Sequence, residues 1–312
     1  MTRARQPQAG ALAAVNILCI GDTHFRDDAT WTYPYAERMD IATADIAIMV
    51  GRPLVDLVVQ LGDHTTNAYD VEFDAYLAWK ATVVADLPEG VAFEEVPGNH
   101  DLVGGIPTGS PDTKTTAQWA AIMGRAGGAK NKVVDLGDRV RVLLLAPTAD
   151  STGVTTPLTR LLLDEDDIAW VDARCSETDR QVVIAFHAPL FETVGPLDGS
   201  AFSTYDPAER WCAHPIADIE AMIARHPNLV AWVAGHTHSR TTEVDVTCSR
   251  TYGDVTIAAV SACSPATSNP DAGFRGNRIS GCLLTVLPDR VEVRYRDHGA
   301  GQWLNPVHVV TL

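Results

Sequence analysis

Lysine is scarce in this chain. Only four of its 24 basic residues are lysine, 40 residues are acidic, and the 312 residues carry a formal charge of −16. A protein that coats nucleic acid displaces phosphate counterions with surplus basic side chains, so general nucleic-acid binding is not expected. An acidic chain can still hold one phosphate group, but only by building a local positive centre against its own field. Long apolar runs are missing too. Residues 17–20 and 229–234 fall far short of the roughly 18 that a membrane helix needs, so no membrane partner is expected. The six cysteines (Cys19, Cys175, Cys212, Cys248, Cys263 and Cys282) include no Cys-x-x-Cys pair, which argues against a zinc ribbon or a thioredoxin-type redox site. Cys19, Cys263 and Cys282 lie in apolar, strand-like runs and read as small buried hydrophobes. Neither a Gly-x-x-x-x-Gly-Lys loop nor Gly-x-Gly-x-x-Gly, Gly-x-Ser-x-Gly or His-Glu-x-x-His occurs. Residues 1–14 are polar and Arg-bearing, without the apolar stretch of a secretory signal, so the expected compartment is the cytoplasm.

Hydrophobic residues make up 46% of the chain and charged residues 21%, proportions of a folded rather than a disordered protein. Short apolar runs at 15–20, 55–61, 91–96, 140–145, 182–186 and 229–234 read as strands. Between them, 36–50, 71–86, 118–123, 164–174 and 216–224 have helical spacing. Strands that are apolar throughout and alternate with helices indicate a parallel sheet covered on both faces. From residue 243 onward the pattern is all-β, with runs at 244–248, 255–260, 282–287 and 291–295, which reads as hairpins. The fold class is therefore α/β, a sandwich with an antiparallel C-terminal extension. No repeat or Pro/Gly-rich linker divides it, so a tail of 1–14 and a single domain over 15–312 are expected. Three loops, 102–116, 191–209 and 264–280, are long enough to act as lids or as mobile surface.

The chemistry is concentrated where strands stop. Five strand ends carry Asp22-Thr23-His24, Gly62-Asp63, Gly98-Asn99-His100-Asp101, His187 and Gly235-His236-Thr237-His238. Ligands of open α/β sheets bind just beyond the carboxyl ends of the strands. The fold would thus gather Asp22, His24, Asp63, Asn99, His100, His187, His236 and His238 on one rim, including five of the ten histidines. Any one fragment is ordinary turn chemistry; five in order, each directly after a strand, are not. Neutral imidazoles, an amide oxygen and carboxylates suit Zn, Fe or Mn. The roster is large enough for two ions, and a carboxylate between two ligand sets can bridge metals roughly 3.5–4 Å apart. Two divalent ions against two aspartates leave a net local positive charge, which is what a phosphate requires.

The order DTH, GD, GNHD, H, GHTH, running from Asp22 to His238, resembles that of the calcineurin-like metallophosphoesterase superfamily. In its compactness the chain is similar to the bacterial cyclic-nucleotide phosphodiesterase-like branch. The resemblance implies a four-layered α/β/β/α sandwich of mixed sheets with a dinuclear centre at the strand ends. It assigns Asp22, His24 and His238 to one metal, Asn99, His187 and His236 to the other, and Asp63 to both. His100 would stand beside the metals, hydrogen-bonding the phosphate or protonating the leaving oxygen. The nucleophile would be a hydroxide activated between two Lewis acids and attacking phosphorus in line. Asp101 would either orient His100 or cap the following turn. Two positions depart from the family's pattern: His64 stands after Asp63, where an apolar residue is usual, and is expected to face the substrate, the alternative being that it closes a turn. Phe186 stands before His187, where some relatives carry another histidine.

The expected activity is a metal-dependent phosphodiesterase acting on a small diester, such as a cyclic nucleotide or nucleotide-derived ester. A phosphomonoesterase with the same centre is the alternative. A nuclease would need a basic groove, and a non-catalytic scaffold would be expected to have lost ligands. Arg275 and Arg278 could reach a phosphate or simply be solvated. His214, His226, His298 and His308 read as surface or packing residues.

Overall fold

The computed structural model describes residues 14–26, 35–50, 55–102, 114–148, 161–191, 193, 212–237, 247–262 and 280–312. One sheet is built on three adjacent parallel strands, β1 (Val15–Ile20), β2 (Leu57–Gln60) and β3 (Ala92–Glu95). A second contains β4 (Lys132–Leu136), β5 (Val140–Leu144), β7 (Gln181–Ala185) and β9 (Leu229–Ala234), in which β5, β7 and β9 run parallel. β6 (Leu161–Leu162) and β8 (Ala213–His214) form a separate short pair.

Alternation of side chains along each strand explains the layering. Ile17 and Cys19 of β1, with Leu57 and Val59 of β2, face the second sheet and meet Val142, Leu144, Val183, Ala185 and Val233 there. Their neighbours Leu18, Ile20 and Val58 face outward. That outer face is covered by α1 (Tyr35–Val50) through Met39, Ala42 and Ile46, by α2 (Asp70–Ala85) through Phe73, Tyr76 and Trp79, and by α4 (Thr116–Ile122) through Trp119. Val182, Ile184 and Trp232 face outward from the second sheet. They pack on α5 (Glu165–Ser176) through Val171 and Cys175, and on α6 (Ile216–Ala224) through Ile219, Met222 and Ile223. Three apolar cores separating helix, sheet, sheet and helix make the four-layered sandwich. Strands buried on both sides must be apolar at every position, which is why they read as continuous runs.

The C-terminal strands complete both sheets. β12 (Ser280–Leu287) pairs antiparallel with β1, and β13 (Arg290–Asp297), β14 (Gln302–Trp303) and β15 (His308–Thr311) extend that sheet. β10 (Thr247–Tyr252) and β11 (Val255–Ser261) form a hairpin in the other, where β11 lies parallel to β9. Most of the three long loops, with Cys263, Arg275 and Arg278, lies outside the described residues. Among the described residues no helix is long and apolar enough to cross a membrane.

His298 and His226 are buried packing residues held by carboxylates. His226 Nε2 meets Asp172 at 2.6 Å, and His298 Nδ1 meets Asp45 at 2.7 Å. Asp45 also receives Arg296 Nε at 2.8 Å, tying α1 to β13. Burial would raise the Asp45 pKa, but hydrogen bonds from Arg296 and His298 and their charges bring it down to about 2. This stabilisation is present above the usual carboxylate pKa and is lost as pH falls towards 2. Asp45→Ala strands a buried guanidinium, and should lower stability by about 3–5 kcal/mol. Chemical denaturation at pH 7 would measure the loss, and the difference from wild type should shrink in acid.

Candidate metal centre

The candidate ligands sit in the turns that follow β1, β2, β3, β7 and β9, and specific contacts hold those turns. His24 N donates to the Asp63 carbonyl at 2.8 Å and Phe25 N to the His64 carbonyl at 2.7 Å, so the turns after β1 and β2 run side by side. Gln60, the last residue of β2, is fully buried; its amide receives Gly62 N and donates to Gly62 O, both at 2.8 Å. That two-point clamp holds a turn in which Gly62 has φ +93° and Asp63 φ +52°. Four described non-glycine residues have positive φ, and three of them are His24, Asp63 and His236. Backbone strain of this kind is found where a site requires a particular side-chain direction.

Asp63 is the geometric middle. Its Oδ2 lies 3.2 Å from His187 Nε2 and 3.7 Å from His24 Nε2, while Oδ1 receives the His100 backbone N–H at 2.9 Å. His187 Nε2 also lies 3.2 Å from Asn99 Oδ1 and 3.9 Å from Asp22 Oδ1. Asp22 receives the His236 backbone N–H at 2.9 Å, and the rings of His187 and His236 are 4.9 Å apart. Asp22, His24, Asp63, Asn99, His187 and His236 are buried, whereas His100 is only half-buried. The structure therefore brings together seven of the residues singled out in the sequence; His238 lies outside the described residues.

His64 does not join them. Its ring is fully buried, with Nδ1 2.6 Å from Asp101 Oδ2 and the Tyr76 and Trp119 rings beside it, so it points into the helix-side core and cannot contact a substrate. This corrects the expectation of a substrate-facing residue. The pairing also resolves Asp101, which bonds His64, Thr65 and Gly98 rather than His100. His100 is oriented instead by the Thr66 carbonyl, 2.8 Å from its Nδ1. Phe186 faces the outer core, edge-on to Trp232. Gln60 and Thr66 were missed as supporting residues; a glutamine inside an otherwise apolar strand was the available signal.

A model of the calcineurin-like phosphoesterases matches residues 15–240, more than two-thirds of the sequence. The chain belongs to that family. Calcineurin-like phosphoesterases are hydrolases of phosphate esters that use two transition-metal ions. Two solved structures are similar in fold. A dimetal phosphatase from Danio rerio is 16% identical, with TM-score 0.63 over 95% of this chain and 98% of that one. A purple acid phosphatase from yellow lupin (Lupinus luteus) is 12% identical, with TM-score 0.59 over 96% of this chain and 54% of that one. No match was found among curated proteins.

The residues present fit the family's metal pair. Ligand atoms of His24, Asp63 and His100 lie within 4.8 Å of one another, as do those of Asp63, His187 and His236. The two groups share Asp63, as a bridging carboxylate requires. His187 Nδ1 lies 2.6 Å from the Leu61 carbonyl, so that nitrogen carries the hydrogen and Nε2 keeps its lone pair for a metal.

Electrostatics of the metal-free site point the same way. Burial would lower the His187 pKa, but the charge of Asp63 and its hydrogen bond raise it to about 9. Burial would raise Asp63, yet His187, His100 and His24 hold it well below the carboxylate range. Without metal, the His187 contribution to stability is present below its unfolded pKa and fades as pH rises through about 9. With metal the sign reverses, because the ligand must be neutral and its proton must leave. Metal uptake near pH 7 should therefore release a proton and weaken as pH falls. Calorimetric titrations in buffers of different ionisation enthalpy would measure that proton.

Glycine at position 98 is sterically required. A Cβ there would lie 2.1 Å from Asp63 Oδ1 and 2.3 Å from Asp63 N. Gly98→Ala should displace the shared carboxylate and reduce metal affinity by about 10–100-fold, as measured by Mn²⁺ titration.

Proposed function

We propose that this chain is a phosphodiesterase acting on a small phosphate diester, such as a cyclic nucleotide or a nucleotide-derived ester. The observation that carries the reading is the charge of the cluster. Asp22, His24, Asp63, Asn99, His100, His187 and His236 contribute no ammonium or guanidinium group, in a chain of charge −16. A diester brings one negative charge where a monoester dianion brings two, so the diester needs less compensation. Arg26 is held one step outward, donating from Nε to Thr66 Oγ1 at 2.8 Å.

When bound, the two ions supply Lewis acidity, neutralising phosphoryl charge and lowering the pKa of water. Asp22, His24 and His238 would hold one ion and Asn99, His187 and His236 the other, with Asp63 shared. The protein's own part is positioning and proton management. The Thr66 carbonyl holds Nδ1 of the half-buried His100, leaving the other ring nitrogen to hand a proton to the leaving alkoxide. A small substrate and no nucleic-acid coat agree with the acidic composition.

Phosphomonoester hydrolysis is the second reading, favoured by the two structural neighbours, both phosphatases by name. Hydrolysis of bis-p-nitrophenyl phosphate and p-nitrophenyl phosphate, with Mn²⁺ and then with EDTA, separates them. A chelator-sensitive rate favouring the diester supports the proposal. A monoester preference overturns it in favour of the alternative.

A further inference from the structure

The Asp101 carboxylate collects donors from two different loops. Oδ1 accepts from Thr65 N at 2.9 Å and from Thr65 Oγ1 at 3.1 Å. Oδ2 accepts from Gly98 N at 2.9 Å and lies 2.6 Å from His64 Nδ1. His64 and Thr65 follow Asp63 in the loop after β2. Gly98 and Asp101 bracket Asn99 and His100 in the loop after β3, where α3 (Asn99–Leu102) makes a single helical turn. One carboxylate therefore sets the spacing between the loop that carries the shared ligand and the loop that carries Asn99 and His100.

His64 is the unusual part. Its ring has no solvent exposure and sits 4.3 Å from the Tyr76 ring and 6.0 Å from the Trp119 ring, centre to centre. Its Nε2 is buried with no hydrogen-bond partner among the described residues. A buried ring nitrogen without a partner costs free energy that a hydrocarbon of similar volume would not. Packing alone therefore favours an apolar residue at this position. The only hydrogen bond this side chain makes among the described residues is the one to Asp101, a carboxylate at zero exposure that needs every donor it has.

We propose that His64 and Asp101 form a positioning pair for the metal centre: His64 fixes the Asp101 carboxylate, and Asp101 locks the Asp63 loop against the Asn99–His100 loop. Neither residue touches the ions or the substrate. The inference rests on the two-metal centre and is independent of whether the ester is a diester or a monoester. Partners one step behind metal ligands typically influence metal affinity by about 10–100-fold.

The test is Mn²⁺ binding to the full chain, read by calorimetry and by electron paramagnetic resonance, with circular dichroism to establish folding. His64→Leu keeps the volume apolar and removes the donor; His64→Asn places an amide N–H where Nδ1 was. The expected result is that folded His64→Leu binds its weaker Mn²⁺ about 10–100-fold less tightly and loses the exchange-coupled signal of a bridged pair. His64→Asn should restore both to within about threefold. A folded His64→Leu protein with wild-type affinities and the coupled signal would overturn the proposal. So would a folded His64→Asn protein that lacks the second ion, and that variant decides the matter alone if the leucine protein does not fold. A residue needed only for packing would give the opposite order, with leucine tolerated and asparagine destabilising.

Discussion

Asp63→Ala should yield a folded protein that no longer retains two metal ions, with phosphoester hydrolysis reduced by at least about 10³-fold. Asp63 alone appears in both groups of converging ligand atoms. If it is the shared ligand, removing it would take one ligand from each ion. The effect should exceed that of losing any terminal ligand. The same substitution removes the negative charge that holds a proton on buried His187, so that histidine should become easier to deprotonate in the metal-free variant. Metal content per chain, measured after gel filtration, and the rate on bis-p-nitrophenyl phosphate give the two readouts. Two ions retained per chain would remove Asp63 from the shared position.

His100→Ala should behave differently. His100 is half-buried while the surrounding candidate ligands are buried, which makes it the member of the cluster accessible to substrate. Its Nδ1 is committed to the Thr66 carbonyl, leaving the other nitrogen to carry a proton. A general acid contributes about 10²–10⁴-fold, and only where the leaving group is basic enough to need it. The variant should therefore keep both ions and lose about 10²–10⁴-fold on alkyl esters. Its loss on p-nitrophenyl esters should be under about tenfold, because that phenolate leaves unprotonated. Loss of an ion on substitution would identify His100 as a ligand instead, a role its closeness to His24 and Asp63 permits geometrically.

Most of the architecture was legible because the main strands are buried on both faces and so are written as uninterrupted apolar runs. Residues 15–20, 216–224 and 229–234 match their elements end to end. What escaped was short or lay at an edge. β4, Lys-Val-Val-Asp-Leu, borders its sheet, is partly exposed throughout and has neither a continuous nor a cleanly alternating pattern. β6, β8 and β14 are only two residues long and carry no period at all. The C-terminal hairpins were recognised as hairpins, but a sequence does not say which sheet a hairpin joins.

At the site, strand-end position was enough to collect Asp22, His24, Asp63, Asn99, His100, His187 and His236. The side of the loop on which a residue falls was not legible. His64 follows Asp63 directly, yet the left-handed backbone at Gly62 and Asp63 sends consecutive side chains to opposite sides. Only the neighbours Tyr76, Trp119 and Asp101, brought in from elsewhere in the chain, show which side is the core.

The division of the C-terminal strands between the sheets has a consequence for synthesis. β1 pairs on one side with β2 and on the other with β12, which is made more than 260 residues later, at Cys19 and Cys282 for example. Contacts of such separation are slow to form and leave strand edges open meanwhile. The turns that carry the candidate ligands all lie upstream of residue 240, where the family match ends, yet the sheets beneath them close only with strands in residues 247–312. A nascent chain thus holds the candidate ligands among the described residues before it holds the scaffold that keeps them in place. Premature termination near residue 240 would be expected to yield an aggregating species, not a smaller enzyme.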